Sequence, residues 1–355
     1  MERLRIAIVS PPWYPVPPEG YGGIELVIYL LAQQLHERGH SVTVIGTQGG
    51  KGDFELIALA PSSWEQRLGT RDEEPLNCAY LLEAHDLVRR RAFDIVHEND
   101  YTGMTIAASM RLPTPVVATI HGDLTEADGR FLSEIDFRVH LVGISTAQQR
   151  QVAGVRWRAM VHNAFDPGAV EVGLEKDDYL VQLARISADK AQHLSIEVAR
   201  RVGCPLVLAG KVDEAEQEYF EKEIKPHLGE SVRWVENVAG AEKAQLLARA
   251  RAMIFPIQWE EPFGIAMVEA MASGTPVLAA ARGAAVELLE PGLTGFLAED
   301  VEGLVDAYHR LGEIDPRRCA ERAHERFGPA RMAEGYEAIY LEQVRAVRDG
   351  RLPQF

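Results

Sequence analysis

Basic residues are in short supply in this chain. Lysine and arginine number 37 against 53 aspartate and glutamate, for a formal net charge of −16. A phosphate backbone selects the opposite balance, so no nucleic acid is expected as a partner. An anionic membrane surface is disfavoured for the same reason. Arg89–Arg90–Arg91 is a local basic patch, but it reads more simply as the solvated end of a helix. Long apolar runs are missing too: no stretch reaches the roughly 20 residues of a membrane span. The N-terminus passes directly into the strand-like stretch from Leu4 to Ser10, without the apolar core and cleavage site of a signal peptide. Cysteine is rare. Cys78, Cys204 and Cys319 are odd in number and far apart, which gives neither a disulfide framework nor metal-ligand spacing. A cytoplasmic chain with reduced thiols is the expectation. The G-x-G-x-x-G dinucleotide fingerprint is absent as well.

What is present is an alternation of short apolar runs and helical patterns over 355 residues, enough for two domains that each bury a core. Strands are expected at residues 4–10, 42–46, 54–59, 93–97, 115–120, 139–145 and 159–163, with helices at 24–38, 77–91 and 103–110. Residues 61–75 are polar and irregular and take no assignment. The second half repeats the pattern, with strands at 179–185, 205–210, 232–235, 252–256 and 275–280 and helices at 191–201 and 243–250. Strands alternating with helices imply parallel sheets, hence an α/β fold of two doubly wound domains. Ligands of such sheets bind just beyond the strand C-termini.

Four clusters lie at such positions. Gly22 and Gly23 precede the helix at 24–38, where backbone amides can approach a phosphate; glycines that simply make the turn explain them as well. His121 follows a strand and precedes Gly122. From the pattern alone, a satisfied structural histidine is the commoner outcome. Arg185 and Lys190 place two cations at a strand end and in the turn after it, able to hold a diphosphate or simply to be solvated. The fourth cluster spans residues 259–276. Glu261 lies on a loop, because Pro262 disfavours helix there. Glu269 lies about a turn and a half inside the helix that follows. The backbone N–H groups of Phe263, Gly264 and Ile265 fall where a helix supplies no internal partner. A carboxylate on the loop, free amides and a carboxylate on the helix suit one small polar ligand; a core helix with a solvated glutamate at each end fits equally well.

The motif EPFG-x4-EAMA-x-G-x-PV over residues 261–277 resembles the E-x7-E signature of family 4 of the retaining glycosyltransferases. Gly22–Gly23–Ile24–Glu25 with Arg38–Gly39–His40–Ser41–Val42, the T-x-H-G context of His121, and Arg185 with Lys190 resemble further motifs of that family, in order, from Gly22 to Leu297. Ala164, Ala184 and Ala191 stand where the family usually has glycine, and Ala191 puts the geometry of its loop in question. The resemblance implies a GT-B fold of two facing Rossmann-like domains with a cleft between them. Residues 1–165 would bind the acceptor and residues 166–330 the nucleotide sugar, and a helix within 331–355 would pack back on the first domain.

The roles it implies are these. His121, Glu261, Arg185 and Lys190 are catalytic. Gly22, Gly23, Arg185, Lys190, Glu261, Phe263, Gly264, Ile265 and Glu269 bind the donor, a UDP- or GDP-sugar. The reaction is transfer with retention to a hydroxyl of a small molecule or glycan. No cofactor is implied, and no metal, since no D-x-D pair is suitably placed. The acceptor is expected on the loops at 12–21, 61–75 and 98–103, with Trp13, Asn99, Asp100 and Tyr101 as candidates beside a reading as ordinary loop residues. A sugar phosphorylase, a nucleotide-sugar epimerase and a non-catalytic binding protein are the alternatives. Oligomeric state is open.

Overall fold

A computed structural model of the protein describes residues 2–20 and 22–350. The chain divides into two compact units, Met1–Ala164 with Pro329–Phe355, and Phe165–Gly328. Tyr21, within the acceptor loop at 12–21, and residues 351–355 lie outside the described residues.

In the first unit, strands Arg5–Val9 (β1), Ser41–Thr47 (β2), Glu55–Ala60 (β3), Ile95–Glu98 (β4), Val116–Ile120 (β5), His140–Gly143 (β6) and Ala159–Met160 (β7) form one sheet in the order β3-β2-β1-β4-β5-β6-β7. Each neighbouring pair is parallel. β1 and β5 are buried at nearly every residue, as expected where helices cover both faces. The chain runs outward from β1 to β3 and returns on the other side at β4. The loops after β1 and β4 therefore part at a topological switch point, where such sheets bind ligands.

Helix α1 (Gly23–Glu37) presents Val27, Ile28, Leu31 and Leu35 to the core. After it, Arg38 and His40 both reach Glu337, on the C-terminal helix Pro329–Arg348: Arg38 Nη2 lies 2.6 Å from one carboxylate oxygen, and His40 Nε2 lies 3.0 Å from the other. Burial alone would raise the Glu337 carboxyl, but its hydrogen bonds from His40 and Arg38 hold it below the ordinary value. The same helix brings the Tyr340 hydroxyl to His97 Nδ1 (2.6 Å) and the Tyr336 hydroxyl to Thr119 Oγ1 (2.8 Å). The last helix is thus held to β4 and β5 by buried polar contacts.

Helix α2 runs Glu73–Arg90, four residues earlier than the sequence pattern suggests. Pro75 falls in its first turn, where a missing N–H costs nothing, and Glu73 and Glu74 suit the positive end of the helix. The unassigned stretch before it contains a short 3-10 helix, Ser62–Arg67.

In the second unit, Leu180–Leu183 (β8), Leu206–Ala209 (β9), Val232–Val235 (β10), Ala252–Phe255 (β11), Val277–Ala280 (β12) and Gly295–Ala298 (β13) form a second parallel sheet, ordered β10-β9-β8-β11-β12-β13. Its switch point lies between β8 and β11. Among the described residues no helix is long and apolar enough to cross a membrane.

Candidate active site

Arg185 and Lys190 follow β8 and Glu261 follows β11, the two strands at the switch point of the second unit. After β8 the chain turns through Arg185 to a 3-10 turn, Ala188–Lys190, and then enters helix α3 (Gln192–Val202). Two buried amides hold this turn. Gln182 Nε2 donates to the Lys190 carbonyl (2.7 Å) while its Oε1 accepts from the Ser195 hydroxyl (2.7 Å). Gln192 Nε2 donates to the Arg185 carbonyl (2.7 Å). Ala191, where the family usually has glycine, adopts the left-handed backbone a glycine would (φ 52, ψ 47) and is fully buried. A non-glycine residue in this conformation costs roughly 1–2 kcal/mol for Cβ crowding.

The Lys190 ammonium donates to Glu261 Oε2 at 2.5 Å and lies 4.3 Å from the centre of the Trp259 ring. Both partners are nearly enclosed, with side chains 11% and 12% exposed. Two sequence candidates thus meet directly. Arg185 pairs with Asp213 at 2.9 Å, and Lys211 reaches the other oxygen of the same carboxylate at 2.9 Å. Together these contacts hold Asp213 below its ordinary pKa against the raising effect of burial.

Helix α4 (Ile265–Ala272) begins at Gly264, whose backbone is left-handed (φ 87). In its first turn the Ile265 N–H has no carbonyl of the helix to bond, whereas the Met267 N–H donates to the Gly264 carbonyl at 3.0 Å. The Phe263 side chain is buried and meets the Phe327 ring edge-on at 6.1 Å. Glu269 is buried inside α4 and receives Lys243 Nζ on Oε1 at 2.7 Å. Its other oxygen has no protein partner among the described residues. Lys243, Asp213 and Lys211 escaped the sequence reading: Lys243 meets Glu269 and Asp213 meets Arg185 only through the fold, and the short-range Lys211–Asp213 pair carries no motif of its own.

In the first unit, Gly22 caps α1 and Gly23 opens it. Glu25, in the first turn, is buried, and that burial pushes its carboxyl up to about 7. After β5, His121 is half-buried, and its Nε2 lies 3.0 Å from Asn99 Oδ1. Burial pushes this imidazole down to about 4. The remaining acceptor candidates have these surroundings. Trp13 is buried. Asp100 caps the helix Tyr101–Met110, accepting from the N–H groups of Thr102 and Gly103, and also receives Asn77 Nδ2. Tyr101 packs on Phe131 at 5.8 Å. Asn99, itself buried, is the member of this set that the structure joins to His121.

Two family models match the chain: one described as Glycosyltransferase Family 4 over residues 21–164, and one as Glycosyl transferases group 1 over residues 170–326. The chain is 30% identical over 402 residues to N-acetyl-alpha-D-glucosaminyl L-malate synthase of Bacillus anthracis, covering 99% of this chain and all of that protein. It is 25% identical over 417 residues to glycogen synthase of Mycobacterium tuberculosis, covering 99% and 98%. Among solved structures, it is similar in fold to a glycosyltransferase involved in avilamycin A biosynthesis (TM-score 0.76, 24% identity, 98% of each chain). It is also similar to Anabaena HepE in complex with UDP and glucose (TM-score 0.74, 20% identity, 96% of this chain and 100% of that one).

Proposed function

Because this chain belongs to glycosyltransferase family 4, we propose that it moves a sugar from a nucleotide-diphosphate sugar, of the UDP or GDP class, to a hydroxyl of a small molecule or saccharide. Transfer retains the anomeric configuration and uses no metal ion. The observation that carries this reading is the Lys190–Glu261 pair, 2.5 Å apart at the switch point of the second sheet. A cation for a leaving diphosphate and a carboxylate for sugar hydroxyls there lie side by side. Glu269 stands eight residues beyond Glu261, within α4, as the acceptor for ribose hydroxyls. The UDP and glucose held by the Anabaena structure support a donor of this kind. The Bacillus anthracis relative, named for L-malate, supports a small hydroxylated acceptor.

The chemistry follows from the charges. As the bond from the anomeric carbon to the phosphate oxygen breaks, negative charge grows on the diphosphate. Lys190, the Arg185 fork and the first-turn amides of α4 stabilise it as it forms. Glu261 leaves its ion pair with Lys190 to accept hydrogen bonds from donor-sugar hydroxyls. The acceptor oxygen bonds to the anomeric carbon on the same face, and its proton passes to the leaving phosphate oxygen. His121 positions the sugar. Incubation with UDP- and GDP-sugars and a panel of L-malate, inositol phosphate and a glucan, followed by proton NMR of the anomeric signal, tests the reading. The expected product keeps the donor's α configuration and appears in chelated buffer. A β product, or a strict requirement for added metal, contradicts it.

A further inference from the structure

We propose that Asn99 is a positioning residue that fixes the tautomer of His121, with the proton on Nε2 and the lone pair of Nδ1 open to a ligand. The assignment rests on the orientation of one buried amide. Asn99 Nδ2 donates to the Val9 carbonyl at the end of β1, at 3.0 Å. A turned amide would set its oxygen against that carbonyl, two acceptors face to face, so Oδ1 points the other way, to His121 Nε2 at 3.0 Å. An amide oxygen only accepts, and the imidazole must therefore carry its proton on Nε2. His121 Nδ1 has no hydrogen-bond partner among the described residues.

The amide is itself held in place. The Asn99 backbone N–H donates to Glu98 Oε1 at 2.9 Å, and the Asp100 N–H donates to the same oxygen at 3.1 Å. Glu98 is fully buried, with His85 Nε2 3.2 Å from its other oxygen. It lies against Gly103, where an added Cβ would come within 2.6 Å of Oε1. Glu98, through its hydrogen bonds to the Asn99 and Asp100 amides, thus fixes the direction from which His121 is held. Burial is what holds this ring below its ordinary value. His97 on β4 is pushed down to about 3, chiefly by burial. Asp100 is engaged in its helix cap, and Asp123 lies two residues further along the loop of His121.

A neutral ring that presents only a lone pair discriminates by chemistry. It accepts from a hydroxyl or N–H of a bound ligand and repels phosphate and carboxylate oxygens. The sugar end of a donor suits it and the diphosphate end does not. That last step rests on the proposed function; the tautomer does not.

The test uses the full chain, unliganded and labelled with 15N-histidine. The protein has 11 histidines, and His121→Gln identifies the resonance. At pH 7 the expected pattern is a neutral ring protonated at Nε2 that stays neutral to below pH 5. Asn99→Asp puts a carboxylate where the amide oxygen was, and the His121 titration is expected to rise by about 1–3 pH units. The acid limb of kcat/KM should move up with it. Asn99→Leu removes the acceptor and should give a mixture of tautomers. A wild-type ring protonated at Nδ1, or a His121 titration unmoved in Asn99→Asp, overturns the proposal. Inactivity toward every nucleotide sugar with the Nε2 pattern intact would instead overturn the functional reading and leave this one standing.

Discussion

Replacing Lys190 with alanine is expected to lower kcat/KM for the donor by about 10²- to 10³-fold, the usual cost of removing one preorganised charge-stabilising contact. The ammonium is nearly enclosed between Glu261 and Trp259, where electrostatic interactions are stronger than in water. Its removal acts twice. The leaving diphosphate loses a cation, and Glu261 is left as an uncompensated carboxylate beside it. Lys190→Arg should recover only part of the loss, because a planar fork does not occupy the place of a compact ammonium over an indole ring. Steady-state kinetics check this, with thermal melts of each variant to separate folding from catalysis. A loss within fivefold in a well-folded Lys190→Ala protein would remove Lys190 from the diphosphate site.

Gly283→Ala should be nearly as damaging, although residue 283 carries no functional group. Gly283 has a left-handed backbone (φ 52), and its N–H donates to the Glu260 carboxylate at 2.8 Å. An added Cβ would strike the Glu261 amide nitrogen, and would come within 2.6 Å of the Glu261 carbonyl oxygen and 2.9 Å of the Glu260 carbonyl carbon. All three are backbone atoms and cannot rotate away, so the loop that carries Glu261 must move. Overpacking and backbone strain together are expected to cost about 2–4 kcal/mol of stability, and displacement of Glu261 to cost on the order of 10²-fold in rate. Gly292→Ala is the control. Its backbone is also left-handed (φ 78), but nothing lies within 4 Å of the added atom, so only the strain of about 1 kcal/mol remains. Denaturant melts and donor kinetics on both variants measure the difference. Equal effects at the two positions would show that contact with Glu261 is not the cause.

How much of this was legible in the sequence depends on how local each signal is. The two parallel sheets are legible because their strands, covered on both faces, are short continuous apolar runs such as Ile6–Ala7–Ile8–Val9 and Val277–Leu278–Ala279–Ala280. Helix α2 begins before its expected start, within the polar stretch that took no assignment, and Pro75 sits in its first turn. The spacing of Glu261 and Glu269 is a local feature, and so is the Arg185–Lys190 turn. The partners of these residues are not local. Lys243 meets Glu269 across 26 positions, and Asp213 meets Arg185 across 28. Neither pairing leaves a periodic trace. Asp100 reads as a loop carboxylate open to a ligand, whereas its position just before a helix is also that of an N-cap, and the structure uses it so. Ala191 shows the converse: a residue that departs from the family pattern adopts the left-handed backbone that favours glycine, with Gln182 and Gln192 holding the turn on either side.

The central claim is that the second unit binds a nucleotide-diphosphate sugar through Glu269 and the Lys190–Glu261 pair. A thermal-shift titration with UDP-, GDP-, ADP- and TDP-sugars, run on the wild type and on Glu269→Ala, tests it most directly. At about 100 times the dissociation constant a bound donor stabilises by roughly 2.7 kcal/mol. The prediction is such a shift for one nucleotide class, abolished when Glu269 is alanine. No shift with any nucleotide sugar, or a shift that Glu269→Ala leaves unchanged, would contradict it.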